Sequence, residues 1–269
     1  MSPQHVKDSL TVARQYADFA LAVDYNSLPH AVISKARHCL VDAIGCAAFG
    51  MTLPWSQMVL AEAIETGSGG PCTLPGAPGV HLHPPQAALV LGTASHAFEL
   101  DSLRKPGAGV HGGGTVALPA LAVAEAVGAS DDEIICAIVA GCETMFRLGA
   151  ATLHTPEKIG FHAPGLTGPF GAAIATARLM KLSASQTANA LGIAGSFASG
   201  LLAFAKSGQG GMIKRLHLGR AAEGGVLAAR LAARGYEAPH AVIEGQYGLL
   251  DAFCSDTQTS LLTAGLGEQ

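Results

Sequence analysis

Apolar residues recur with a helical period along most of this chain, and no stretch alternates with period two for more than about five residues. That periodicity restricts it to an all-α, multihelical body. Several helix ends are written locally. Ser130 with Glu133 forms a capping box ahead of IICAIVAGCETMFRLGAA, and Ser183 with Gln186 forms a second. Ser27 followed by Pro29 predicts another start, with Ile33, Ala36, Leu40, Ile44 and Ala47 in helical register and Gly50 as the stop. Residues 219–234, GRAAEGGVLAARLAAR, read as a helix closed by Gly235. Residues 86–100 and 116–127 have the same spacing. Short strands fit near Cys72–Leu74 and His81–His83.

Composition says how such helices must pack. Charged residues are 13% of the chain and 34 of its 269 residues are glycine, against averages of about 25% and about 7%. Little charge and many small side chains predict closely packed helices, and an oligomer that buries surface on its partners. A chain of 269 residues can bury a sizeable core as one large domain or two small ones.

The same numbers exclude several functions. The net charge is -4, and no Lys/Arg cluster is large enough to footprint DNA or RNA, so no nucleic-acid partner is expected. Leu182–Ala205 carries no charge, but SASQTANA within it is too polar for lipid, so no membrane span is expected. None of the six cysteines forms a C-x-x-C pair, and four lie in helical apolar runs, where cysteine acts as a small core residue. MSPQHVKDSL is not a signal peptide, and a cytoplasmic location is the expectation. GAGVHG at Gly107–Gly112 satisfies G-x-G-x-x-G but follows a helix and RKP rather than a strand. SGQGGMIK lacks the G-K-[ST] of a P-loop, His81 and His83 have no further ligand nearby, and no G-x-S-x-G elbow is present.

Ionisable groups gather instead at three glycine-rich stretches read as loops: Pro106–Gly114, Gly160–Gly171 and Ser207–Gly211. SHAFELDSLRKPGAGVHGGG, residues 95–114, carries Glu99, Asp101, Ser102, Arg104, Lys105 and His111. GFHAPGLTGPFGAA, residues 160–173, places His162 before a Gly/Pro turn. GGMIKRLHLGRAA, residues 210–222, sets Lys214 and His217 three apart, on one helical face. IEGQYGLLDAF, residues 243–253, completes the set. Each segment alone also fits a solvated helix end or a histidine satisfied by backbone.

Together, in this order, the four segments resemble the MmgE/PrpD family. HAFELDS at His96–Ser102 is similar to its HA-[ILM]-[DE]-[LF]-DD motif, Gly160–Gly171 to [GR]FH-x-P-x-x-x-G-x-[FL]-G, and Lys214–Ala222 to K-x-LH-x-G-x-AA. The resemblance implies a multihelical N-terminal domain spanning 1–269, with a core over 6–253. Residues 254–269 would be the remnant of a linker to a C-terminal α+β lid that the chain lacks. It implies an active-site cleft holding Glu99, His111, His162, Lys214 and His217, and a homodimer formed through the helical domain, with a separate lid domain as a further partner. Glu99 stands where dehydratase and decarboxylase relatives usually have Asp, Leu103 where some have Thr, and the loop before His111 is slightly longer than in the decarboxylase.

The chemistry of the residues agrees with that resemblance. An α-proton beside a carboxylate is weakly acidic, and removing it needs a positioned base and a cation facing the developing charge. His162 or His111 is the expected acid/base, and Lys214 and His217 the substrate clamps. Arg215, Arg104 and Ser102 would be further substrate contacts, and Glu99 or Asp101 would orient a histidine or bind a substrate hydroxyl. The expectation is a cofactor-free, metal-free lyase or isomerase for a small di- or tricarboxylate, acting by dehydration, decarboxylation or epimerisation. The alternative is a non-catalytic polycarboxylate-binding or assembly subunit on the same scaffold.

Overall fold

A computed structural model describes residues 11–105 and 110–268. Among them the architecture is all-α. The principal helices are α1 (Val12–Ala22), α2 (His30–Gly50), α3 (Pro54–Gly67), α4 (Pro84–Ser95), α5 (Leu118–Val127), α6 (Asp131–Ala151), α7 (Thr155–Lys158), α8 (Ala163–Leu179), α9 (Ala184–Ser196), α10 (Met212–Ala232) and α11 (Leu249–Phe253). One short strand, Ser68–Cys72, pairs with Leu82 through bridges at both its ends.

Both capping boxes form as read, at Ser130/Glu133 and Ser183/Gln186. Gly50 ends α2, but Pro29 is its N-cap; Ser27 sits in a 3-10 turn, and its hydroxyl donates to the Asp24 carbonyl. The helix expected over 219–234 starts seven residues earlier, at Met212, so Lys214 and His217 ride on its first turns. The larger difference is Gly160–Gly171. It is not a loop: α8 begins at Ala163 and runs through Pro169.

Its glycines serve packing. A Cβ on Gly165 would lie 2.0 Å from the Ser199 carbonyl oxygen, and one on Gly168 would lie 2.9 Å from Ala221 Cβ of α10. The same device sets α10 against α4, where a Cβ on Gly219 would meet Thr93 Oγ1 at 2.1 Å and one on Gly92 would meet the Gly219 Cα at 2.9 Å. Helix α10 therefore runs between α4 and α8 at backbone contact. That places its N-terminal turns beside the end of α4 and the start of α8, where the ionisable groups are. Helix α6 is apolar and long enough to cross a bilayer, but 67% of its apolar stretch is buried within the fold, as in a core helix.

Residues 254–268, expected as linker remnant, pack on the body. Leu262 is buried in the core shared by α1, α6 and α8. Arg147 of α6 donates to the carbonyls of Ala264 (2.7 Å) and Gly265 (3.1 Å), and the Gln258 N–H donates to that of Ala151 (2.9 Å).

Candidate active site

Helix α4 is buried on most of its surface and ends at Ser95 with His96 as C-cap. Glu99 then takes a left-handed backbone, φ 58°, which is costly for a residue with a Cβ and is held here by its side-chain contacts. Asp101 is buried beneath. His111 follows Val110, whose carbonyl accepts from the Arg104 N–H (3.2 Å), so that a backbone bridge closes the connection. Residues 106–109 between them, with the first half of the GAGVHG stretch, lie outside the described residues. His162 is the N-cap of α8, and its N–H donates to the Gly200 carbonyl (2.9 Å). Gly200 has φ 123°, and a Cβ there would lie 3.3 Å from the His217 ring.

These elements assemble three groups. In the first, the Glu99 carboxylate lies 2.6 Å from Lys214 Nζ through Oε2 and 2.9 Å from Arg215 Nη2 through Oε1. Arg215 also donates to the Gly211 carbonyl (2.7 Å) and stacks over Trp55. Partial burial works to raise the Glu99 pKa, but the Lys214 hydrogen bond and the charges of Lys214 and Arg215 hold it below the usual carboxylate range.

In the second group, Asp101 sits between two imidazoles: His96 Nδ1 is 2.7 Å from Oδ1, and His111 Nδ1 is 2.9 Å from Oδ2. Burial opposes ionisation of Asp101, yet the contacts to His111 and His96 outweigh it and bring the pKa to about 2. The donor atoms of His96, Asp101 and His111 lie within 4.8 Å of one another, close enough to be considered as metal ligands. His96 Nδ1 is hydrogen-bonded to the carboxylate, whereas His111 Nδ1 stands at 2.9 Å without the alignment of a hydrogen bond.

In the third, His162 Nδ1 and His217 Nδ1 are 3.0 Å apart, which requires one ring to donate and the other to accept. Burial, then the proximity of His217, presses the His162 pKa down to about 3, and burial lowers that of His217 as well. At neutral pH this pair is uncharged and offers a lone pair. The groups also sense one another, since His96, Lys214 and His111 each contribute to the depression at His162.

The structure therefore gathers Glu99, Asp101, His111, His162, Lys214, Arg215 and His217 in one region. It does not bring Ser102 and Arg104 there. The Ser102 N–H donates to Asp42 (3.0 Å), its hydroxyl faces Cys39, and Arg104 lies over the Phe146 ring. Both line a separate cavity of about 1010 Å³ between α1, α2 and α6, because the chain turns outward after the buried Asp101. His96 was missed. Its signal was the five-residue spacing to Asp101 within HAFELD, obscured by its place at the end of an apolar helix.

The sequence pattern of the MmgE/PrpD N-terminal domain matches residues 14–262. Similar proteins include cis-aconitate decarboxylase of Aspergillus terreus, 31% identical over 245 residues, covering 88% of this chain and 49% of that protein. Human cis-aconitate decarboxylase is 29% identical over 248 residues, covering 88% and 49%. The cis-aconitate decarboxylase-like protein oryM of Aspergillus oryzae is 31% identical over 248 residues, covering 88% and 50%. The chain thus spans about half the length of these relatives. A match over nearly all its described residues, on a helical body carrying the expected motifs, means that this chain belongs to the MmgE/PrpD family.

Proposed function

We propose that this chain supplies the helical half of a lyase or isomerase site that removes a proton α to a carboxylate of a small di- or tricarboxylate. The single observation carrying this reading is the hydrogen-bonded His162–His217 pair, buried at His162 and half-buried at His217, with His217 on the helix turn that carries Lys214 and Arg215. It sets a neutral base next to two cations that can hold a carboxylate. In dehydration or epimerisation one imidazole of the pair takes the α-proton; in decarboxylation the C–C bond breaks instead, carbon dioxide leaves, and the carbanion takes up a proton. Lys214 and Arg215 stabilise the aci-carboxylate as its charge develops. His111, oriented by Asp101, is a second acid/base group. It can protonate a departing hydroxyl, protonate the carbanion left by loss of carbon dioxide, or return a proton to the other face. The names of the similar proteins favour decarboxylation among the three.

The second reading, a binding or assembly subunit, draws on the exposed apolar side chains near these groups: Phe98, Leu100, Leu201, Met212 and Ile213. That rim fits a covering partner, either a lid domain or a second copy.

Proton–deuterium exchange on a panel of di- and tricarboxylates separates the readings. Exchange at the α-carbon, falling about 10²-fold in Lys214→Ala, supports the enzyme. Exchange unaffected by that substitution removes the lysine from the mechanism. Binding without exchange, also when the covering domain is added, supports the assembly reading.

A further inference from the structure

We propose that His96 is a positioning residue for His111, acting through the Asp101 carboxylate that the two rings share. This rests on the reading of His111 as an acid/base group. An ionised carboxylate only accepts, so an Nδ1 that bonds to Asp101 must carry a proton. The His96 bond, at 2.7 Å, is short and well aligned. The His111 approach, at 2.9 Å, lacks hydrogen-bond alignment in this state, so it depends on how the carboxylate is turned. His96 sets that turn: its bond to Oδ1 leaves Oδ2 facing His111, and its ring packs edge-on against the His111 ring with centroids 4.6 Å apart. With Oδ2 held 2.9 Å from His111 Nδ1, a small turn of the ring or carboxylate completes the bond, which favours the tautomer with the His111 proton on Nδ1 and leaves Nε2 to exchange protons with a substrate.

A purely structural residue would not look like this. His96 is 1% exposed, and its Nε2 is buried with no hydrogen-bond partner. An apolar side chain would fill the space without that desolvated nitrogen. What the imidazole adds is a donor aimed at Asp101 from the rigid end of α4.

The test compares three variants of the whole chain by ring ¹⁵N NMR, with His111 assigned by His111→Asn. In the unsubstituted protein His111 is expected as the Nδ1–H tautomer. His96→Leu removes the donor, and His111 should shift toward the Nε2–H form. His96→Asn replaces the donor near the Nδ1 position and should restore the original tautomer. His96→Gln carries its amide near the Nε2 position and should not restore it, which supplies the comparison if His96→Leu fails to fold. In α-proton exchange, His96→Leu or His96→Gln should lower kcat about tenfold with KM unchanged, since His96 does not touch substrate. A His111 tautomer that stays on Nδ1 in a folded Leu or Gln variant overturns the proposal, as does equal loss of kcat in the Asn and Gln variants. Absence of exchange in the unsubstituted chain counts against the enzymatic reading alone, because the tautomer comparison needs no substrate.

Discussion

The Asp101 carboxylate is enclosed between two imidazoles with its side chain fully buried, whereas that of Glu99, two residues earlier, is 41% exposed between an ammonium and a guanidinium. Each has two nitrogen partners within 3 Å. The buried one is committed to its geometry, because every alternative partner is excluded and losing a contact leaves a desolvated charge. The exposed one competes with water and salt, so a substrate carboxylate of the same charge and shape can take its place on Lys214 and Arg215. Burial thus divides two similar ion clusters into a fixed element that orients a histidine and an exchangeable element that marks where an anion binds.

Four substitutions and conditions sharpen or break that division. The largest effect is expected from Asp101→Asn, which puts an amide N–H against one Nδ1–H and forces a wrong tautomer. Exchange activity should fall about 10³-fold or more, and stability by about 3 kcal/mol, read from turnover and chemical denaturation. A small loss in both would place Asp101 in the same class as Glu99. Next, Lys214→Ala should cost about 10²-fold in exchange rate while changing stability by less than about 1 kcal/mol. A large loss of stability would show that the exposed cluster is structural.

A smaller effect concerns acid. The unfolded chain protonates a histidine near pH 6.5, but folded His162 does so only near 3. Between those values the unfolded state binds more protons, so stability rises with pH and falls on acidification from about 6.5 downward. Asp101 adds its own loss only below its unfolded value of 3.8, down through about 2. Melting temperatures should therefore decline already between pH 6.5 and 4.5, and His162→Asn should flatten that decline. The smallest effect is expected for Glu99→Gln: stability within about 0.5 kcal/mol of the parent, and tricarboxylate affinity by calorimetry about 2- to 5-fold tighter, the weight of one exposed ion pair. Weaker binding would mean that Glu99 organises the cations rather than competing for them.

The features legible in the sequence are those with local causes. Capping boxes at Ser130 and Ser183 act within four residues, and they form as read. Lys214 and His217 share a helical face, and both reach the site. What escaped reading was tertiary. Gly165, Gly168 and Gly171 look like loop residues, yet they are small because the Ser199–Gly200 backbone presses on the first and other helices on the second and third, which no window of sequence reveals. Ser102 and Arg104 follow Asp101 directly, and only the direction of the chain after a buried residue sends them into another cavity. Arg215, expected with them as a substrate contact, does reach the Glu99 carboxylate.

The account depends most on the His162–His217 pair being an uncharged base at working pH, and this can be measured without substrate or partner. Ring ¹⁵N shifts of His162, followed from pH 7.5 to 4.5 and assigned by substitution, report its charge directly. The expected result is a neutral imidazole throughout, with one Nδ1 proton held between the two rings. An imidazolium at His162 already present at pH 6 would leave no lone pair to take a proton, and would contradict the account.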